Sequence, residues 1–171
     1  MRKSIISLLL LLAVLPLMGQ SLLDSLPGHR MKASYTYSLS QGGAPMKEVS
    51  SGIILVQDNA YRLDALGLEV YCDGQKRWSV DPSAGEVLLE EVDTEDMLTN
   101  PLQIIHNWKS MGDRLHFNSR GKDSLDATAK LDDKTSVRVV LKDVVLSEPG
   151  PVSDFVPDPG KIKDYILTDL R

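Results

Sequence analysis

The chain has 171 residues, 42% of them hydrophobic, and carries 19 basic against 24 acidic residues for a net charge of −5. That balance disfavours nucleic acid, which is met by a basic face, and a single cysteine, Cys72, excludes an intramolecular disulfide. The length allows one domain with a genuine core, held by burial alone.

Arg2 and Lys3 precede an apolar run from Ile5 to Leu15 interrupted only by Ser7, and Pro16 and Gly19 follow. A short cationic start, an apolar centre too short for a membrane span of about 20 residues, and a small residue before the exit are the marks of a secretory signal. Residues 1–19 are therefore expected to be a cleaved signal peptide and residues 20–171 a single exported domain. No cysteine lies near the cleavage region, so the domain is expected to be soluble and not lipidated. Removing the signal takes away two cations and no acid, which leaves the exported part more acidic still.

Beyond the signal, a short helix is predicted around Ser21 to Leu26, and then period-two alternation dominates. Ala33, Tyr35, Tyr37 and Leu39 alternate with polar residues as in a half-buried strand. Gln41-Gly42-Gly43-Ala44-Pro45 turns the chain into a strand from Lys47 to Gln57, whose run Ile53-Ile54-Leu55-Val56 predicts cover on both faces. Asp58-Asn59 turns into Tyr61–Ala65, and Gly67 opens Leu68–Cys72. Asp73-Gly74 is a two-residue hairpin signal of the kind a type I′ turn requires. Trp78 and Val80 then share one face, Asp81–Gly85 is a longer turn, and Glu86–Val92 returns.

Asn100-Pro101 reads as an N-cap followed by proline at the first helical position, with Leu102, Ile105 and Trp108 on one face of a short helix. Strands resume at Leu115–Asn118, Leu125–Leu131 and Val137–Leu141, with a last one near Tyr165–Leu167. About ten antiparallel strands in order make a meander, and a meander with one apolar face must curl around something or be covered. The short helix near Leu102 and the N-terminal segment are the available covers.

No catalytic constellation emerges. His29, His106 and His116 are widely separated and lack a partner at metal-ligand spacing. Cys72 falls on the parity of Leu68 and Val70, which predicts a buried small hydrophobe and not an activated thiol. The serines form no nucleophile elbow, and Asp58, Asp73 and Asp81 stand at turns, where Asp is favoured for its backbone hydrogen bonds. The chain is not expected to be an enzyme, and no cofactor or metal is expected. Trp78 reads as core, and in a curled sheet with a small cover the apolar inner face is the plausible binding site.

The run from Ser51 to Ile105 resembles the outer-membrane lipoprotein carrier (LolA-type) family. The resemblance rests on a Gly-led strand, Gly52 to Val56, and an aromatic-led strand, Tyr61-Arg62-Leu63. It continues with a D-G-x-x-x-W-x-x-D-P core at Asp73, Gly74, Trp78, Asp81 and Pro82, and an N-P-x-x-x-I helix from Asn100 to Ile105. The tail matches as well, with Phe155-Val156-Pro157-Asp158-Pro159-Gly160 and the terminal Asp169-Leu170-Arg171. The likeness implies a mainly β fold: a strongly curved antiparallel sheet forming an unclosed barrel, with short helices as a lid over an apolar cavity. It implies a monomeric periplasmic carrier that takes acylated lipoproteins from an inner-membrane lipoprotein-releasing transporter to an outer-membrane acceptor. The acyl-chain cavity is then expected to be lined by Leu63, Val70, Trp78, Val80, Leu102, Ile105 and Trp108. The alternative on the same fold is a carrier of another amphiphile, such as a glycolipid, or a lipid-sensing periplasmic domain.

Two features depart from the family. Better-known members carry a basic residue and a proline just after the Gly-led strand, where the basic residue tethers the lid; here Gln57 and Asp58 stand there. Arg62 is the nearest substitute, yet its parity opposite to Tyr61 and Leu63 predicts that it points outward, leaving the lid held by apolar contact. Only 5% of the residues are aromatic, so the cavity lining is expected to be mainly aliphatic.

Overall fold

The computed structural model of the chain describes residues 22–65, 67–93 and 102–171. Residues 1–19, expected to be a signal peptide, and Asn100-Pro101, expected to cap a helix, lie outside the described residues, as does the side chain of Leu102. Ten strands form one sheet in the order β10-β6-β5-β4-β3-β2-β1-β9-β8-β7. They are β1 (Arg30–Gln41), β2 (Lys47–Gln57), β3 (Ala60–Ala65), β4 (Leu68–Cys72), β5 (Lys76–Asp81), β6 (Glu86–Glu91), β7 (Leu115–Arg120), β8 (Leu125–Lys130), β9 (Thr135–Ser147) and β10 (Ile166–Asp169). Among the described residues three short helices accompany them: α1 (Leu22–Ser25), α2 (Leu102–His106) and α3 (Pro159–Ile162). The sheet is mainly antiparallel, is not closed into a barrel, and ends in two edge strands, β7 and β10.

Alternation decides which residues look inward. Met31, Ala33, Tyr35 and Tyr37 of β1 are buried, and their direct partners carry the same face across the sheet. Met31 lies opposite Val56, Ala33 opposite Ile54, and Tyr37 opposite Val139. Leu125, Ala127 and Ala129 of β8 extend this core, and Leu22, Leu23, Ile104, Ile105 and Met111 close over it. The inner face is thus covered by α1 and by α2 with the segment that leads from it to β7.

The outer face has its own cover. After β9 the chain turns back as a strap, through a 3-10 turn at Val152–Phe155 and α3, before adding β10 beside β6. Tyr71, Val80 and Val87 form a second cluster there, against which Trp78, Ile162 and Tyr165 pack. A polar clamp fixes the start of the strap. The Gln57 side chain accepts from the Gly150 N–H at 2.9 Å and donates to its carbonyl at 3.1 Å. Arg30 donates to Gln57 at 3.0 Å and to Asp154 at 2.6 Å, and its guanidinium lies 5.1 Å from the centre of the Phe155 ring.

Several expectations need correction. The strands do not run as a meander to the end: β6 and β7 are not neighbours, and β10 pairs with β6 in parallel. A parallel partner needs a long crossover, which the strap supplies. The second half of β2 is not covered on both faces, because Ile54 and Val56 are buried while Ile53 is 45% exposed. The Asp73-Gly74 turn is not type I′: Gly74 alone has positive φ, at 96°. Asp73 instead accepts at Oδ1 from the backbone N–H groups of Gln75 and Lys76, both at 2.8 Å. Finally, α2 stops at His106, so Trp108 sits in the turn that follows and not on the helix.

Gly52 explains itself through packing. A Cβ there would stand 2.6 Å from the Asp64 carbonyl oxygen and 3.4 Å from the Tyr35 ring. The ring crosses the glycine so that its hydroxyl can donate to that same carbonyl at 3.0 Å and meet Ser50 at 2.6 Å. The residue is needed for close approach, since its φ is not in the left-handed region.

Candidate functional site

Two cavities open on the inner face. The larger, about 520 Å³, lies between α1, the α2 segment and the adjoining strand ends; Leu23, Leu26, Met31, Val56, Ile105 and Trp108 give it apolar walls. Its rim is polar, with Asp24, His29, Asp58, Asn59, His106 and Lys109. The smaller, about 210 Å³, lies further along the sheet, between Tyr35, Tyr37, Val49, Leu63, Ala65 and Val70, with Ser50, Tyr61, Arg77 and Ser79 completing it. Met31 borders the first and Tyr35 the second. Four residues of strand at about 3.3 Å each separate them by roughly 13 Å, with Ala33 between.

The residues expected from sequence to line one acyl cavity divide three ways. Ile105 and Trp108 line the larger cavity, and Leu63 and Val70 the smaller. Trp78 and Val80 line neither: they point to the opposite side of the sheet, under the strap. The cause is register. Tyr61, Cys72, Arg77 and Glu90 are paired in one row, and Arg62, Tyr71, Trp78 and Leu89 in the next. The four residues between Cys72 and Arg77 make an even loop, and an even loop places Arg77, not Trp78, on the parity of Cys72 and Val70. That signal was present in the sequence. Met31, Val56, Tyr35 and Tyr37 belong to the site by the alternation of β1 and β2, and Arg77 by this even loop.

The inner row is also where the electrostatics concentrate. Arg77 donates to Glu90 at 2.8 Å, both side chains being largely covered, so the pair balances its own charge against an apolar wall. Beside it, burial pushes the Tyr61 hydroxyl up to about 12, with the Cys72 sulfur adding to the rise. Burial likewise raises the Cys72 thiol, which is fully enclosed and receives the Gly74 N–H at 3.4 Å. A buried thiol held protonated fits the packing role expected of it.

Gln57 and Asp58, which follow one another at the end of β2, face opposite ways. Gln57 faces outward and clamps the strap, and Asp58, at φ 50°, turns back toward the larger cavity. The lid reaches it from the other side, as His106 hydrogen-bonds the Asp58 backbone. Desolvation is the largest influence on His106 and lowers its pKa, with the Asp58 backbone and carboxylate opposing. Arg62 does not reach the lid; its guanidinium lies 5.0 Å from the centre of the Tyr71 ring on the outer face. At the far end of the lid, Trp108 packs edge-on against Phe117, ring centres 6.0 Å apart, with Arg120 over both rings.

Among the described residues, no group of three or more His, Cys, Asp and Glu side chains could hold a metal ion, and no helix is long and apolar enough to cross a membrane. The arrangement offers apolar volume with a polar rim, which suits enclosing a ligand.

No family model matches the chain, and no curated protein matches it. Among solved structures, the chain is similar to an uncharacterized conserved protein from Thermus thermophilus, with a TM-score of 0.50 over 86% of this chain and 94% of that one. At 6% identity that likeness shows a shared fold alone.

Proposed function

We propose that the protein is a periplasmic carrier that encloses the acyl chains of lipoproteins and shuttles them from the inner to the outer membrane. The observation that carries this reading is the larger cavity, about 520 Å³, walled by side chains of both lid helices and of the sheet. Its volume falls within the roughly 300–1,000 Å³ typical of small-ligand sites, and its apolar floor with a polar rim matches an amphiphile. Support for lipoproteins as cargo comes from the sequence resemblance, including the signal segment and the terminal Asp169-Leu170-Arg171.

Burying a methylene is worth about 0.8 kcal/mol, so a 16-carbon chain in water carries a cost of roughly 12 kcal/mol that a carrier must offset. The carrier must also give its cargo up, so it should hold the chain less firmly than a membrane does. A lid that rests on the sheet through Leu23, Ile104 and Ile105 meets both demands, because its apolar contacts can be exchanged for those of the acyl chain.

The test is binding of a fluorescent fatty-acyl probe to the exported protein, followed by transfer of a triacylated lipoprotein between donor and acceptor membranes. Ile105→Asp should weaken probe binding and abolish transfer. A protein that binds no acyl probe, and from which mass spectrometry recovers no acyl-bearing material, is not a carrier. Probe binding without lipoprotein transfer would leave a carrier of another amphiphile.

A further inference from the structure

The two inner cavities lie on one face of the sheet, and little of the floor stands between them. On β1, Met31 borders the larger cavity and Tyr35 and Tyr37 the smaller, and the inward residue between them that lines neither is Ala33. On β2, Val56 lines the larger and Ser50 the smaller, and between them stand Ile54 and Gly52, which has no side chain. Ala33 and Ile54 are direct cross-strand partners, so this part of the floor is one aliphatic pair, a methyl beside an isoleucine. One row away the walls adjoin. Val56 of the larger cavity lies directly opposite Tyr61 of the smaller, about 5 Å away across the strands. Ile104 of α2 belongs to the same core cluster as Ala33 and Ile54 and lines neither cavity. Its contacts are apolar and non-directional, so an acyl chain can take their place.

The two cavities differ in what they offer. The larger has a polar rim, with Asp58, Asn59, His106 and Lys109. In the smaller, three polar side chains are already engaged with protein partners. The Tyr35 hydroxyl donates to the Asp64 carbonyl at 3.0 Å and meets Ser50 at 2.6 Å, and Arg77 donates to Glu90 at 2.8 Å. What the smaller cavity has left for a ligand is its aliphatic wall of Val49, Leu63, Ala65 and Val70. A polar rim at one end and an aliphatic wall at the other give an amphiphile a direction.

We propose that the two cavities act as one channel for a single long acyl chain, with its headgroup at the rim of the larger, its middle over Ala33 and Ile54, and its end in the smaller. The smaller cavity then selects chain length, and Val70 and Leu63 are the residues that gauge it. This inference rests on the acyl-carrier reading and adds to it the class of chain, one long enough to pass Ala33. Each methylene that reaches the smaller cavity strengthens binding about fourfold. A chain that ends short of Ala33 gains nothing from it.

The test is displacement of the fluorescent fatty-acyl probe from the exported protein by saturated fatty acids of about 8 to 18 carbons. One fatty acid should bind per protein, and affinity should keep rising to the longest chains. Val70→Phe adds volume to an existing cavity and not to a filled core, so the variant should fold, and its melting temperature checks that it does. It should leave the shortest chains as they bind in the wild type and weaken the longest by about tenfold, the worth of about two methylenes. Ala33→Leu, which narrows the passage instead of filling the end, should show the same dependence on length. Equal losses for short and long chains, unchanged long-chain affinity in Val70→Phe, or two fatty acids bound per protein would overturn the proposal and leave the carrier reading standing. A wild type that binds no chain of any length would overturn both.

Discussion

The two faces of the sheet are covered by different means. Inside, α1 and the α2 segment rest on an aliphatic and aromatic core and leave cavities of about 520 and 210 Å³. Outside, the strap is clamped by Gln57 and Arg30 through directed hydrogen bonds and sinks Phe155 to full burial. Apolar contact is non-directional and can be remade with another apolar body, whereas a buried amide that loses its partner costs about 1–3 kcal/mol. The difference separates a cover held by non-directional contact from one fixed in place by directed bonds.

The chain carries one tryptophan per cover, Trp78 outside and Trp108 inside, so each can be followed separately. The largest effect should come from the strap. Phe155 is 0% exposed, and Phe155→Ala should cost about 3–5 kcal/mol, as large-to-small core changes do. Urea unfolding measures it, and in a Trp108→Phe background the Trp78 emission should shift to the red before the main transition. A loss below about 1 kcal/mol would make the strap an accessory.

Alkaline titration probes the inner face. Tyr61 is pushed up to about 12 by burial, while in the unfolded chain it ionises near 10. The folded state therefore keeps its proton where the unfolded state has lost it. The stability held below pH 10 falls as pH rises through 10 to 12, by a few kcal/mol at most for this residue. Tyr61→Phe should flatten that fall, although the raised Tyr35 and Tyr71 hydroxyls will leave part of it. An unflattened curve would place the alkaline loss on the other tyrosines.

Gly52→Ala tests how tightly inner and outer halves are joined at β2 and β3. The added methyl meets a backbone carbonyl that cannot swing away, so about 1–3 kcal/mol should be lost by overpacking. Thermal melting of the variant checks the figure, and Tyr35→Phe combined with Gly52→Ala should cost less than the sum of the two, because the Tyr35 ring and its bond to Asp64 share the site.

The smallest effect is the most discriminating. Trp78→Leu alters only the outer cluster, so acyl-probe affinity should remain that of the wild type, while Val70→Asp at the smaller cavity should lower it. A clear affinity loss in Trp78→Leu would join the two faces functionally and undo the distinction drawn between them.

The strands were legible because alternation and turn chemistry are local. Lys47–Gln57 and Leu68–Cys72 could be bounded from residues alone, and the scarcity of helix was equally plain. The burial of Cys72 followed from its parity with Val70. The orientation of Trp78 also lay in the sequence, in the even spacing from Cys72 to Arg77, but it requires carrying parity across a turn and not reading each strand alone.

What the sequence could not decide is non-local. Nothing in Ile166-Leu167-Thr168-Asp169 announces parallel pairing with β6, because a strand's partner is chosen by the path of the chain before it. Nor does Gln57 announce a clamp: an isolated glutamine gains that role only when the Gly150 backbone is brought beside it across 93 residues of chain. Period and turn residues act over a few residues and so determined the strands of this protein. The tertiary structure alone decided which connection lies on which face, and therefore which face keeps a cavity.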